Sequence, residues 1–502
     1  LVLAFPPIDL WFLAWFGLVP FFVSIYNRTG WQVFVFGLFW GIAFFFGTVY
    51  WTAHSMTVYG GIPLLIGILV LLLLVLYLSL FPAIFAQGVS YLQGGILIVP
   101  ALWTTLEYIR SFLFTGFPWV SLGYSQFPLL PLIQLSDITG VYGLSFLIVA
   151  VNLLLFKLFL WFREGDGLPI KEAIGVFLVM LAVLVYGFFR IDEIDKAFNN
   201  GTPLKIGIVQ GNIDQNIKWN PTYQEETVRI YTGLSREVAR SGVRLIVWPE
   251  TATPFYLQSD ERFKPLVHKV SLETSTYLLT GSPAYEYKAS GIAYYNSAFL
   301  IGPTGETLGR YDKIHLVPFG EYVPLKRLLP FIHKLVEGIG NFTPGDGPDL
   351  LSMDKERFGV LICFEAIFPE ISRAFVKEGA DFLINITNDA WFGRTSASYQ
   401  HIAQAAFRAV ENRRFLVRAA NTGISGVVDP VGRIKVKSEI FKRETLVDTI
   451  RLVERGSGLT FYTRYGNVFA VGCGVVVVLV TLSKTMSNSK SKRQNSKVQV
   501  KG

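Results

Sequence analysis

Cys363 closes the apolar run Phe358-Gly359-Val360-Leu361-Ile362 and is followed by Phe364-Glu365. A buried strand that ends in a thiol beside an acid can expose a thiolate to a substrate. The chain has 2 cysteines, and the other, Cys473, lies in a long apolar run, so no disulfide partner for Cys363 is in view. The plainer reading of such a cysteine is a small core residue. A thiol attacks a carbonyl only as thiolate, and for that it needs a base and a positive neighbour. Two further segments offer them. Glu250 ends Arg244-Leu245-Ile246-Val247-Trp248-Pro249-Glu250, and Lys313 lies in Arg310-Tyr311-Asp312-Lys313-Ile314-His315-Leu316-Val317-Pro318-Phe319-Gly320-Glu321. Glu250 could take the thiol proton if Trp248 and Pro249 formed an apolar wall that raised its pKa toward neutrality. Lys313 could hold a developing oxyanion, with a backbone N–H after Cys363 as second donor. Alone, Glu250 would read as a turn cap and Lys313 as a solvated loop lysine. His315 alternates with Lys313 on an extended segment, and nothing nearby orients it, so it reads as structural. One cysteine and scattered histidines give no metal-ligand spacing in this region.

These residues need a frame that brings strand ends together. The segment Lys205-Ile206-Gly207-Ile208-Val209-Gln210-Gly211-Asn212 is an apolar strand ending in a turn. Helices are expected at about 222–240, 260–274, 368–378 and 398–411. Strands are expected at 276–281 and 294–301, at Phe382-Leu383-Ile384-Asn385-Ile386-Thr387, and at 415–419 and 424–428, the last two closing the domain. Alternating strands and helices indicate an α/β fold. Active residues in such folds gather at strand ends and the loops beyond.

This polar domain is set in an apolar chain. Of 502 residues, 51% are hydrophobic and 16% charged, against about 25% charged in soluble domains. The mean hydropathy is +0.43. Segments at 9–26, 31–52, 62–87, 96–113, 141–162, 172–190 and 467–483 approach the ~20 apolar residues a membrane span needs. The chain starts at Leu1 without a Met, and residues 1–5 read as the tail of a further span, so a trimmed start is expected. No cleavable signal pattern is seen. The expected layout is a bundle over 1–190, a polar domain over 191–466, a last span at 467–483 and a tail over 484–502. The tail carries Lys484, Lys490, Lys492, Arg493, Lys497 and Lys501 without an acid, which puts it in the cytoplasm. Counting back one span puts 191–466 outside. Arg163, Lys171 and Arg28 then fall inside. The loop at about 114–140, with Thr115-Gly116-Phe117-Pro118-Trp119, falls on the outer side. It would be either an interfacial belt or a floor beneath the outer domain, with Trp119 facing a lipid entry. Glu107 and Arg110 read as a structural i,i+3 pair near that surface. A net charge of +8 without a basic, aromatic-interleaved stripe does not point to nucleic acid.

Together, Trp248-Pro249-Glu250, Tyr311-Asp312-Lys313 and Cys363-Phe364-Glu365 resemble the Glu-Lys-Cys triad of the nitrilase superfamily. The surrounding spans, the run His315 to Pro324 and Thr387-Asn388-Asp389-Ala390-Trp391-Phe392-Gly393 narrow this. Over essentially its whole length the chain resembles the apolipoprotein N-acyltransferases of the bacterial cytoplasmic membrane. That resemblance implies a two-sheet sandwich flanked by helices beside a polytopic helical bundle. It implies a ping-pong reaction without a cofactor, run by a monomer. Cys363 would take an acyl chain from a phospholipid, typically phosphatidylethanolamine. The thioester would then pass it to the α-amine of the S-diacylglyceryl cysteine of an apolipoprotein. Glu250 would be the base, Lys313 the oxyanion stabiliser and Glu321 a second required acid, with Phe364 and Glu365 in support. Trp219 and Trp391 would be aromatics on arms around the substrate entry, or simply packed. Phe364 departs from the family's usual Tyr, which removes a hydroxyl but leaves the backbone N–H.

Two other readings stand beside this one. A membrane-tethered amide or nitrile hydrolase would share the triad, yet one span would suffice to tether it. A transporter or scaffold would show paired charges at mid-membrane and broken helices, and these spans are nearly free of charge.

Overall fold

The computed structural model describes residues 1–289, 291–322, 341–453 and 458–499, with backbone only from 491. Val323 and Pro324 of the His315 run lie outside the described residues. Among the described residues, five helices are long and apolar enough to cross a membrane: Trp31–Val49, Leu64–Leu92, Val141–Glu164, Ile170–Asn199 and Val468–Gln499. Two other segments differ from the expected spans. The 9–26 stretch is a short 3-10 helix, Trp11–Trp15, followed by the helix Val19–Ile25. The break frees backbone groups in an apolar setting, and a buried side chain meets them. Asn152 Oδ1 accepts from Leu18 N at 2.8 Å, and its Nδ2 donates to Ala14 O at 2.8 Å.

The 96–113 stretch yields a helix of 13 residues, Ile98–Arg110. At about 1.5 Å per residue it falls short of a ~30 Å hydrocarbon core. Glu107 and Arg110 at its polar end act on each other by charge but make no direct ion pair among the described residues. Arg110 Nη1 donates to Trp119 O at 2.7 Å and Phe117 O at 3.2 Å, while Glu107 Oε1 accepts from Leu122 N at 2.8 Å and Trp103 Nε1 at 2.9 Å. Both charges therefore pin the 117–122 loop. Residues 118–122 of that loop are buried and form a floor, while Phe114 before them is exposed.

The α/β domain contains two six-stranded mixed sheets among the described residues. The strands are β1 (Thr202–Gln210), β2 (Leu245–Val247), β3 (Tyr277–Lys288), β4 (Gly291–Ile301), β5 (Thr307–Asp312), β6 (Leu351–Met353), β7 (Glu356–Ile362), β8 (Phe382–Thr387), β9 (Leu416–Ala420), β10 (Gly426–Val428), β11 (Ile434–Lys437) and β12 (Glu444–Leu452). One sheet runs β12-β1-β2-β3-β4-β5 and the other β11-β10-β9-β8-β7-β6. Each has three parallel central strands, β1-β2-β3 and β7-β8-β9, whose apolar runs are buried as such strands require. Helices Pro221–Ala239 and Lys264–Thr274 cover one sheet, and Pro369–Lys377 and Ala397–Asn412 cover the other. The domain does not close at β10. β11 and β12 follow, and β12 pairs antiparallel with β1 along its whole length.

A buried charge cluster joins domain and bundle. Asp137 Oδ2 lies 2.9 Å from Arg190 Nε, on the long helix leading into the domain, and 2.8 Å from Arg413 Nη2 at the end of Ala397–Asn412. Breaking such a pair leaves an uncompensated buried charge.

Candidate active site

Three strand ends converge. β2 runs into Glu250, β5 into Lys313 and β7 into Cys363. Cys363 begins the 3-10 helix Cys363–Ile367 and has φ +54°. A non-glycine residue in this left-handed region is strained and persists only where its surroundings impose it. The strand-to-helix elbow turns the thiol out of the sheet. Glu250 stands at a similar corner, because Thr251 has φ +47°. Gly281 of β3 permits that corner: a Cβ there would lie 2.4 Å from Thr251 N and 2.7 Å from Glu250 Cα.

Lys313 is 1% exposed. Its Nζ lies 2.9 Å from Glu321 Oε2 and 4.0 Å from Glu250 Oε1. Asn296 Nδ2 bridges the two acids, donating to Glu250 Oε1 and Glu321 Oε1 at 2.8 Å each. Glu250 Oε2 accepts from Asn388 N at 2.9 Å. Burial opposes the Lys313 charge, yet Glu321 and Glu250 hold its pKa above the ordinary lysine value. Burial, then the Glu250 charge, push the Cys363 thiol up; Lys313 and the Thr387 hydroxyl pull it down. A thiol so placed rests protonated beside a carboxylate and an ammonium. It can give up its proton as it attacks, with Lys313 beside the charge that develops.

Glu365 ties two of these corners together. Its Oε1 accepts from Tyr311 Oη at 3.0 Å, Ile314 N at 2.8 Å and His315 N at 3.1 Å, and its Oε2 from Ile362 N at 2.7 Å. The Lys313 loop is thus clasped to the Cys363 elbow. Burial raises the Glu365 pKa to about 7 against the pull of Lys313 and the backbone donors. His315 stacks on Phe368 with ring centroids 3.8 Å apart, and burial first, then Lys313, lower its pKa to about 4. It is a neutral packing ring, as its spacing implied.

The apolar wall expected beside Glu250 is not there. Trp248 faces the helix side of its sheet, stacked on Tyr231 at 5.0 Å with Nε1 donating to Ser235 Oγ at 2.7 Å. β2 ends at Val247 and the chain turns at Glu250–Thr251, so Trp248 stays with the helix layer while the Glu250 carboxylate sits among polar partners.

Phe364 packs against Trp119, 6.1 Å away and nearly parallel, and against Phe368 at 5.4 Å. Trp119 is fully buried, donates from Nε1 to Gln400 Oε1 at 2.7 Å and touches Trp51 of the bundle at 4.8 Å. It is a packed floor linking site and bundle. Trp391 is half-buried, its carbonyl accepting from Ser55 Oγ at 2.7 Å and its ring 5.7 Å from Tyr59. Trp219 is half-buried directly after the short helix Gln215–Lys218.

Several neighbours of the site were not singled out from sequence. Asn296, in mid-strand among tyrosines, carries no local sign of its bridging role. Lys218, 1% exposed, donates from Nζ to Glu250 O at 3.2 Å. Burial lowers its pKa to about 8, against the pull of Glu250 and Cys363. His401, Asn385 and Arg418 lie buried beneath the Cys363 peptide.

Residues 1–154 match the family described as apolipoprotein N-acyltransferase N-terminal domain, and residues 205–457 match carbon-nitrogen hydrolase. The chain is 47% identical over 491 residues to the apolipoprotein N-acyltransferase of Geobacter metallireducens, covering 95% of this chain and 92% of that one. It is 33% identical over 497 residues to that of Methylococcus capsulatus, covering 97% and 95%. Among solved structures, an amidase of the nitrilase superfamily from Nesterenkonia AN1 matches at 20% identity and a TM-score of 0.39, covering 53% of this chain and 94% of that one.

Proposed function

Since the chain belongs to the apolipoprotein N-acyltransferase family, we propose that it moves a fatty acyl chain from a phospholipid, through a thioester on Cys363, to the α-amine of the S-diacylglyceryl cysteine of an apolipoprotein. The observation that carries the residue assignment is a buried Lys313 held by Glu321 and Glu250, with Glu250 and Lys313 both acting by charge on the Cys363 thiol of the strained elbow. In the first half-reaction the thiol proton passes to Glu250 as sulfur attacks the ester carbonyl. Lys313 and the Phe364 N–H hold the oxyanion. Collapse breaks the ester C–O bond, and the lysophospholipid oxygen leaves with the proton from Glu250. In the second, the α-amine attacks the thioester and gives its proton to Glu250. The C–S bond breaks, the amide leaves and the thiolate is reprotonated.

Glu321 holds Lys313 in place, and Glu365 holds the Lys313 loop to the elbow. Trp219 and Trp391, half-buried near the site, line the substrate entry. The layout follows the chemistry, because both substrates are lipid-anchored. The catalytic domain, 191–466, stands on the outer side of the bacterial cytoplasmic membrane. The bundle of 1–190 and the span at 467–483 hold it there, with the basic tail inside. Phosphatidylethanolamine is the expected donor, and a monomer suffices. The Trp119 floor beneath Phe364, continuous with Trp51 of the bundle, supports an approach from the lipid side.

Purified protein in detergent, given a defined phospholipid and a diacylglyceryl-cysteine peptide, should yield N-acylated peptide and lysophospholipid in equal amounts. Ammonia release from simple amides with no peptide acylation would overturn this in favour of a tethered hydrolase.

A further inference from the structure

The Phe364 N–H and the Cys363 carbonyl belong to one peptide unit. In a trans peptide the two point in opposite directions and turn together. Whatever holds the carbonyl therefore aims the N–H. The Cys363 carbonyl accepts from His401 Nε2 at 3.2 Å and from Asn385 Nδ2 at 3.4 Å. Both side chains are fully buried, one on helix Ala397–Asn412 and the other on β8. Among the described residues the Phe364 N–H has no acceptor in the protein, so it is free for a ligand.

Arg418, on β9, orients both clamping groups. A guanidinium only donates. Its Nη2 lies 3.0 Å from His401 Nδ1, which must then accept, leaving the imidazole proton on Nε2 toward the Cys363 carbonyl. Its Nη1 donates to Asn385 Oδ1, which turns the Asn385 NH2 toward the carbonyls of Leu361, at 2.8 Å, and Cys363. Asp389 fixes Arg418 in turn, with Oδ2 2.7 Å from Nη2 and Oδ1 accepting from Thr387 Oγ1 at 2.8 Å. Asp389 Oδ1 also lies 3.2 Å from His401 Nδ1. A proton moved to Nδ1 would bond there but set Nε2 and the Cys363 carbonyl facing as two acceptors. Burial first, then Arg418, hold the His401 pKa below its ordinary value, consistent with a neutral ring.

We propose that His401 and Asn385 are positioning residues that clamp the Cys363 carbonyl and so aim the Phe364 N–H as the second oxyanion donor. The clamp also holds the Cys363 backbone in its strained conformation. This rests on the acyl-transfer reading above.

The test compares two reactions of one thiol. Acyl transfer builds an oxyanion, while alkylation by iodoacetamide at a saturated carbon builds none. His401→Leu should lower kcat for acyl transfer by about tenfold to a hundredfold, at the low end for a lost oxyanion donor. KM should hold, and the Cys363 alkylation rate should stay within about twofold of wild type. His401→Gln, which keeps a donor at that reach, should recover most of the rate. Asn385→Asp keeps a partner for Arg418 but turns an acceptor on the carbonyl, and it should show the same selective loss if His401→Leu does not fold. Parallel loss of alkylation and transfer would overturn the proposal, as would full transfer in folded His401→Leu or Asn385→Asp. A wild-type protein that alkylates but transfers no acyl chain would sink the function reading itself.

Discussion

Cys363→Ala leaves a folded, inserted protein whose acyl transfer has fallen by about 10⁵-fold or more, the scale seen when a nucleophile is removed from a unit that acts together. Fold survives for a structural reason. The ion pair of Lys313 with Glu321 and the Asn296 bridge do not involve sulfur, and the Glu365 clasp holds the elbow through backbone groups. Alanine also tolerates φ +54° no worse than cysteine. The lost volume is one thiol. Turnover of phospholipid with the peptide acceptor, read beside a thermal midpoint, checks both halves. Transfer above about 1% of wild type in the variant would mean that another group receives the acyl chain.

Lys313→Met should cost both rate and stability. The rate falls by about 10²–10³-fold through loss of an oxyanion donor. Stability falls by about 3–5 kcal/mol, because Glu250 and Glu321 are left buried around a missing cation. Lys313 also pulls the thiol pKa down. In the variant the pH dependence of Cys363 alkylation therefore moves to higher pH, and the rate at neutral pH drops. The two effects separate in a double variant. Adding Glu321→Gln removes one stranded charge and recovers part of the stability but none of the transfer. Residues this close should couple rather than add. A stable Lys313→Met with wild-type transfer would remove Lys313 from the mechanism.

Some of this was legible in the chain. β8 stands at the residues read from Phe382 to Thr387, because a continuous apolar run bounded by polar residues has few other ways to bury itself. Glu250 and Cys363 were legible because each ends such a run, whereas Lys313 follows the polar strand β5 and was legible only through its local motif. What failed was long-range. The break in 9–26 looks apolar throughout, and Asn152, which satisfies it, lies 134 residues from Leu18. Helical spacing showed Glu107 and Arg110 as a pair but not the loop that returns beside them and that each also holds. Trp248 was placed beside Glu250 by adjacency, but the chain leaves the strand after Val247 and turns, so Trp248 packs on Tyr231 instead. β11 and β12 were missed because edge strands with half-exposed, charge-bearing faces lack an apolar run. His401 has no local mark at all. Its meaning comes from a helix packed under the elbow, with Arg418 arriving from a third element.

In the proposed reaction Cys363 carries the acyl chain. The most direct test of this is peptide mass spectrometry of the protein after incubation with one phospholipid of known chains. A single fatty-acyl increment is expected on the Cys363 peptide, absent in Cys363→Ala and discharged by a diacylglyceryl-cysteine peptide with N-acyl product. N-acylated peptide formed while Cys363 stays free, or an increment that persists in Cys363→Ala, would contradict it.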